Sequence, residues 1–210
     1  MKKIVKVWLI ILSLSAAGKM NALAEEINPQ IQKGIEYHNR SRNPEEKDAD
    51  KLIEDCLECL EPFTQSNALA CAIYGSATNI KAGRISKASP LKSLGLLKKG
   101  SKYLDQAVSI NPKDESIRLI RLENGIEVSR TSPVKRYKEI SKDVDFFIKD
   151  GKIKSLSGES KAEAYLYCGF YYLDSGKLDY ALKLFEEAER ADPSSECGKK
   201  AHKMLEKYSE

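Results

Sequence analysis

Apolar residues recur along most of the chain at intervals of three and four, and no segment alternates with the period of two expected of a half-buried strand. Leu52, Ile53, Cys56, Leu57 and Leu60 share one helical face, and Leu178, Ala181, Leu182, Phe185 and Ala188 form a second stripe of this kind. Turn chemistry divides the pattern. Asn43-Pro44-Glu45-Glu46 reads as a helix start: Asn43 caps, Pro44 lacks only an N–H that has no partner in a first turn, and two carboxylates face the positive helix end. Ser132-Pro133 reads as another start. Asn111-Pro112 and Asp192-Pro193 read as stops, because proline biases its predecessor to extended geometry. The pattern predicts about nine helices, near residues 27–39, 45–61, 66–86, 91–110, 114–129, 133–149, 159–174, 177–191 and 195–208, and hence an all-α fold.

Residues 162–195 carry a finer spacing. Tyr165, Cys168, Gly169 and Tyr172 are followed by Ala181, Phe185, Ala188 and Pro193. Two antiparallel helices approach closely where small residues face each other, so Gly169 and Ala181 permit contact while Tyr172 and Phe185 fill the space beside it. This segment resembles a tetratricopeptide repeat, whose pattern W-x2-L-G-x2-Y, A-x3-F, P spans about 34 residues, with Tyr165 in the Trp slot and Cys168 in the Leu slot. Upstream, Leu104, Ala107 and Pro112 repeat the spacing of Phe185, Ala188 and Pro193, with Gly100 in the place of Ala181, and Tyr74-Gly75 is similar to Cys168-Gly169. The distances between the prolines require insertions near residues 81–96 and 150–159. The resemblance implies a right-handed superhelical stack of antiparallel helix pairs, a TPR-like α-solenoid of about four pairs. A C-terminal helix over 195–208, apolar at Cys197, Ala201, Met204, Leu205 and Tyr208 and charged opposite, would cap its open end.

The N-terminus changes how the charge is read. Lys2, Lys3 and Lys6 precede an apolar stretch from Val7 to Leu14, and Ala22-Leu23-Ala24 precedes Glu25-Glu26, the pattern of a cleaved secretory signal over residues 1–24. The apolar tract is shorter than the about 20 residues of a membrane span, so no stable membrane anchor is expected. The segment holds four of the 35 basic residues and none of the 31 acidic ones, which leaves 25–210 formally neutral and gives no support for a nucleic-acid or anionic-membrane partner. A single repeat domain over 25–210, periplasmic or secreted in a bacterium, is the expectation.

Catalytic patterns are scarce. His38 and His202 lie near opposite ends of the chain without a second ligand at metal spacing, and no Gly-rich phosphate loop or G-x-S-x-G motif occurs, so no metal, cofactor or catalytic residue is expected. Five cysteines, Cys56, Cys59, Cys71, Cys168 and Cys197, raise a sharper question in a chain bound for an oxidising compartment. Cys56-Leu57-Glu58-Cys59 is a C-x-x-C, but it falls late in a helix beside Asp55 and Glu58, where a thiolate is disfavoured. Buried free thiols and a Cys59–Cys71 disulfide across a helix turn are both open.

In stacks of the resembled type the first helix of each pair lines a concave face. Here that face would include Leu69, Ala72, Ser76 and Asn79, then Leu119 and Glu123, then Glu163, Leu166, Phe170 and Leu173. An apolar lining with an acidic fringe would result, without the Lys and Asn set by which chaperone-type members hold a peptide carboxylate. With Leu166, Phe170 and Leu173 exposed it would suit an amphipathic helix or extended apolar segment; alternatively the N-terminal helix or the insertions cover it. The expected function is a non-enzymatic scaffold that binds a protein or peptide partner in the cell envelope. A small apolar ligand carrier serving an envelope transporter is the alternative, and a thiol oxidoreductase a third reading.

Overall fold

Side-chain caps set several helix starts in the computed structural model, which describes residues 28–43 and 46–208. Asn28 accepts from the Gln30 amide ahead of Pro29, Asn67 from Ala70, and Asp114 from Ile117, each answering a first-turn N–H that has no helical partner. Among the described residues nine α-helices follow in order: α1 (Pro29–Ser41), α2 (Ala49–Leu60), α3 (Ala68–Ile85), α4 (Pro90–Ile110), α5 (Glu115–Thr131), α6 (Tyr137–Val144), α7 (Gly158–Asp174), α8 (Leu178–Ala191) and α9 (Glu196–Tyr208). No strand occurs among those residues, and the fold is all-α. The expected signal segment 1–24 lies outside the described residues, as do Pro44 and Glu45; α2 itself begins at Ala49.

The helices expected over 66–86 and 91–110 are α3 and α4, so the extra residues near 81–96 lengthen these two helices, to 18 and 21 residues, joined through residues 86–89. The helix expected from Pro133 starts only at Tyr137, because Ser132 is extended and Ser129 Oγ accepts the Arg136 amide at 2.8 Å, which holds residues 132–136 across the end of α5. Near 150–159, where an insertion was expected, the segment between α6 and α7 is irregular: α6 runs into a π turn over Asp145–Lys149, Gly151 takes a left-handed φ of 72°, and a short 3-10 turn spans Lys152–Ser155.

Consecutive helices pack as antiparallel neighbours: α1 with α2, α3 with α4, α7 with α8. α3 and α4 cross at a pair of glycines. A Cβ on Gly75 would stand 2.8 Å from the Gly100 carbonyl oxygen, and one on Gly100 would stand 2.7 Å from that of Gly75. α7 and α8 cross where Gly169 meets the Phe185 ring, with a Cβ on Gly169 coming within 2.5 Å of it. The largest part of the core lies among α5 to α9, around Leu122, Ile126, Ile140, Phe147, Leu166 and Phe185. Burying each such side chain contributes about 1.5–3 kcal/mol. A second cluster, around Ile31, Cys56, Leu60 and Ile73, joins α1, α2 and α3.

One buried ionic knot ties α4, α5 and α6 together. Arg118 Nη1, Arg121 Nε and Arg121 Nη2 each donate to the fully buried Asp143 carboxylate at 2.8 Å, and Asp105 accepts from Arg121 at 3.2 Å and Arg136 at 2.6 Å. A carboxylate removed from water stays ionised only with partners of this kind.

Candidate partner-binding face

The first helices of successive pairs touch through polar side chains. Asn79 Nδ2 on α3 donates to Asn124 Oδ1 on α5 at 3.3 Å, and Asn124 Nδ2 donates to Ser76 Oγ at 3.2 Å. The Ser76 hydroxyl in turn faces His38 Nε2 on α1 at 2.9 Å, while His38 Nδ1 lies 3.4 Å from Asn39 Oδ1. The chain of donors is satisfied when the imidazole is neutral, protonated at Nδ1 and accepting at Nε2. Burial, with the Arg42 charge adding to it, holds the His38 pKa down at about 4.

A second polar set continues the line. Arg42, just past the end of α1, pairs with Glu123 on α5 through both guanidinium nitrogens. Tyr167 OH on α7 lies 3.4 Å from both Glu123 Oε1 and Glu127 Oε1, and Lys200 on α9 reaches Glu127 at 2.9 Å. Lys200 also stands over the rings of Tyr167 and Phe170, at 5.5 and 5.1 Å. Burial first, and then the Glu123 charge, push the Glu163 carboxyl above the ordinary range against the pull of Arg42.

Two clefts open along this line and share Arg42 and Glu123 as a common wall. The first, about 740 Å³, is lined by Arg84, Ser93, Leu97, Asn124 and Thr131 among others. The second, about 1450 Å³, is lined by Glu159, Glu163, Tyr167, Glu196 and Lys203 among others. Both mix apolar walls with hydrogen-bonding groups.

The expected face is brought together only in part. Ser76, Asn79, Glu123 and Glu163 border the clefts, but the apolar residues do not. Leu166 and Phe170 are buried to 0% and 3% exposure, so the apolar groove expected there does not exist. α7 is covered on both sides, by α8 and by α5 with α9, and Phe170 sits against the Phe185 ring at 5.3 Å beneath the Arg130 guanidinium at 4.1 Å. Ala72 and Leu119 are likewise core, and Leu69 and Leu173 are half-buried against it. The lining mixes apolar and polar groups where an apolar face with an acidic fringe was expected. Sequence reasoning weighed His38 only as a metal ligand and passed over Arg42, Asn124, Glu127, Tyr167 and Lys200. The available signal was the run Ser76, Thr78, Asn79 inside an otherwise apolar helix, since buried polar groups need partners.

The Ser76–His38 distance is that of a nucleophile and its base. Three features oppose that chemistry: both side chains are only 3% exposed, the Ser76 oxygen is engaged by Asn124, and an imidazole of pKa about 4 is a weak proton acceptor. His202 lines the second cleft, between Glu189 at 2.9 Å and Glu206 at 3.3 Å. Among the described residues no three His, Cys, Asp or Glu side chains gather as a metal site, and no helix is long and apolar enough to cross a membrane.

All five cysteines are free, and the Cys59–Cys71 disulfide is not formed. The two thiols serve different neighbours: Cys71 Sγ donates to the Tyr103 carbonyl of α4 at 3.2 Å, whereas Cys59 lies on the α1 side, its carbonyl accepting from Gln30. Burial pushes Cys71 up to about 11 and Cys56 and Cys197 up to about 12, and Cys168 is also raised, so these four are thiols at neutral pH.

Compared with known proteins, the chain matches no family model, no curated protein and no solved structure.

Proposed function

We propose that this chain is an exported, non-enzymatic scaffold of the tetratricopeptide type, a right-handed stack of helix pairs that holds a segment of an envelope protein along its inner face. The observation that carries the reading is the pair of clefts joined at Arg42 and Glu123. Their walls come from α1, α3, α5 and α7 together with α4, α8 and α9, and they offer amides, hydroxyls and charges of both signs at intervals along one line. An extended polypeptide presents donors and acceptors along its length in the same manner, so the recognition proposed is hydrogen bonding to backbone and polar side chains, not burial of an apolar helix face. The antiparallel pairing and the glycine crossings support the repeat reading.

A photo-crosslinking residue placed at exposed positions tests this directly. Thr131 borders the first cleft, Ser160 the second, and Lys183 lies on α8 away from both. The same partner should be captured in the native envelope from Thr131 and Ser160 but not from Lys183. Filling the first cleft with Thr131→Trp should diminish capture from Ser160. Equal capture from Lys183, or none from any position, would sink the reading. A small molecule retained by the purified protein and lost from Thr131→Trp would favour the ligand carrier instead.

A further inference from the structure

The even charge balance of residues 25–210 conceals a segregation. Between Pro62 and Leu104, a stretch that contains α3 and most of α4, the chain has seven basic residues and no acidic one. Two of the seven are answered from α2: Lys81 pairs with Glu54 at 2.6 Å, and Arg84 with Asp50. Lys99 lies over the Tyr74 and Tyr103 rings. Lys87, Lys92, Lys98 and Lys102 are exposed and make no hydrogen bond or ion pair with any described residue.

Leu91 stands among these lysines in the first turn of α4 and is 85% exposed. Helical spacing puts Leu91, Gly95, Lys98 and Lys102 on one outward stripe, with Lys92 and Lys99 beside it. A Cβ on Gly95 would meet nothing within 4 Å, so the stripe is open. The other side of α4 is used: Ser93, Leu97, Gly100 and Leu104 are buried against their neighbours. The helix thus has a packed inner face and a cationic outer face with one apolar side chain at its tip.

We propose that the outer face of α4 docks on an anionic lipid surface, with Leu91 entering the acyl boundary and Lys92, Lys98 and Lys102 at the level of the phosphates. Unpaired lysines complement a surface of negative charge, and their long stems let the ammonium groups stay in water while the helix approaches. An acidic protein or a nucleic acid would account for the lysines alone. Leu91 favours lipid, because an interfacial helix gains from an apolar group that is otherwise held in water. This surface is separate from the two clefts, so either proposal can fail without the other.

Vesicle flotation tests it with the protein as recovered from the cells that make it, every variant carrying the same N-terminus. One set of vesicles is phosphatidylcholine alone, and the other equal parts phosphatidylcholine and phosphatidylglycerol. The protein should float with the anionic vesicles only, and less as salt is raised. Reversing Lys92, Lys98 and Lys102 to Glu should reduce the bound fraction at least about tenfold, and Leu91→Ser should reduce it about threefold or more. All four side chains are exposed, so the variants should melt with the parent protein, which thermal unfolding checks. The proposal is overturned by absence of binding, by equal binding to neutral vesicles, or by binding indifferent to either variant. It is also overturned if poly-glutamate or a DNA oligonucleotide binds in a Lys92-, Lys98- and Lys102-dependent way while anionic vesicles do not.

Discussion

His38 and Ser76 join α1 to α3 through a buried hydrogen bond of 2.9 Å in which the imidazole acts as the acceptor. Protonating Nε2 would take away the acceptor of the Ser76 hydroxyl, make His38 a second donor to that oxygen beside Asn124, and place a charge beside Arg42.

Stability should therefore fall in acid. The folded-state pKa of about 4 lies below the ordinary histidine value, so the unfolded chain binds the proton first and the contribution is lost as pH drops from about 6.5 to about 4. Its full size is about 3 kcal/mol. Urea unfolding of the parent protein and His38→Gln at intervals across that window measures it. The variant should keep a partner for Ser76 and show a shallower acid decline; equal slopes would show that the imidazole is not the group responsible.

Glu163 should act in the opposite direction. Its carboxyl is raised by burial and by Glu123, so the folded state prefers the protonated form and the group contributes less as pH rises from the ordinary carboxylate range through the raised value. Glu163→Gln should be more stable than the parent protein at mildly alkaline pH and lose that advantage near pH 4. A constant difference between the two at all pH values would contradict this.

Two glycines on α4, five positions apart, should respond oppositely to alanine. Gly100→Ala drives a methyl toward the Gly75 carbonyl oxygen and Asn79 Oδ1, and should cost about 1–3 kcal/mol. Gly95→Ala meets open space in a helix interior and should stabilise by about 0.5–1 kcal/mol. Thermal melts of the pair distinguish close packing from helix propensity, since propensity alone would move both upward.

Removing the Asp143 carboxylate takes a partner from two arginines. Asp143→Ala should lose about 3–5 kcal/mol, because Arg118 would lose its carboxylate partner and Arg121 would keep only Asp105 at 3.2 Å, both charges remaining in a largely buried site. Denaturant midpoints measure the loss, and a change below about 1 kcal/mol would mean that water replaces the carboxylate.

The cysteines should count as five free thiols after unfolding and react slowly before it. Cys56, Cys71 and Cys168 are buried, so alkylation under native conditions should follow the rate of unfolding. Mass analysis after alkylation reads both quantities. A thiol count of three, with Cys59 and Cys71 the two left unalkylated, would restore the Cys59–Cys71 bridge.

Helix positions were largely legible because the apolar period and the proline stops act locally. The close crossing of α7 and α8 could be read at Gly169 for the same reason, although the Phe185 ring, expected beside the contact, is what meets it in place of Ala181. The start of α6 was not, since Ser129 Oγ captures the Arg136 amide at a distance in sequence that no turn rule describes. Leu166 and Phe170 were misplaced because periodicity says that a face is apolar without saying how many neighbours cover the helix. The polar line through His38, Ser76 and Asn124 was hidden altogether: its members lie 38 and 48 residues apart, and each alone is an ordinary residue. Net charge misled in another way, by averaging a cationic hairpin with an acidic remainder.

That averaging has a consequence in solution. Residues 25–210 together have no net charge and feel no pull in a uniform field, but with positive charge gathered on α3 and α4 and the negative excess in the rest of that segment they have a dipole moment and experience a torque. Near any charged surface the protein turns before it touches, so its orientation at first contact is selected while it is still diffusing.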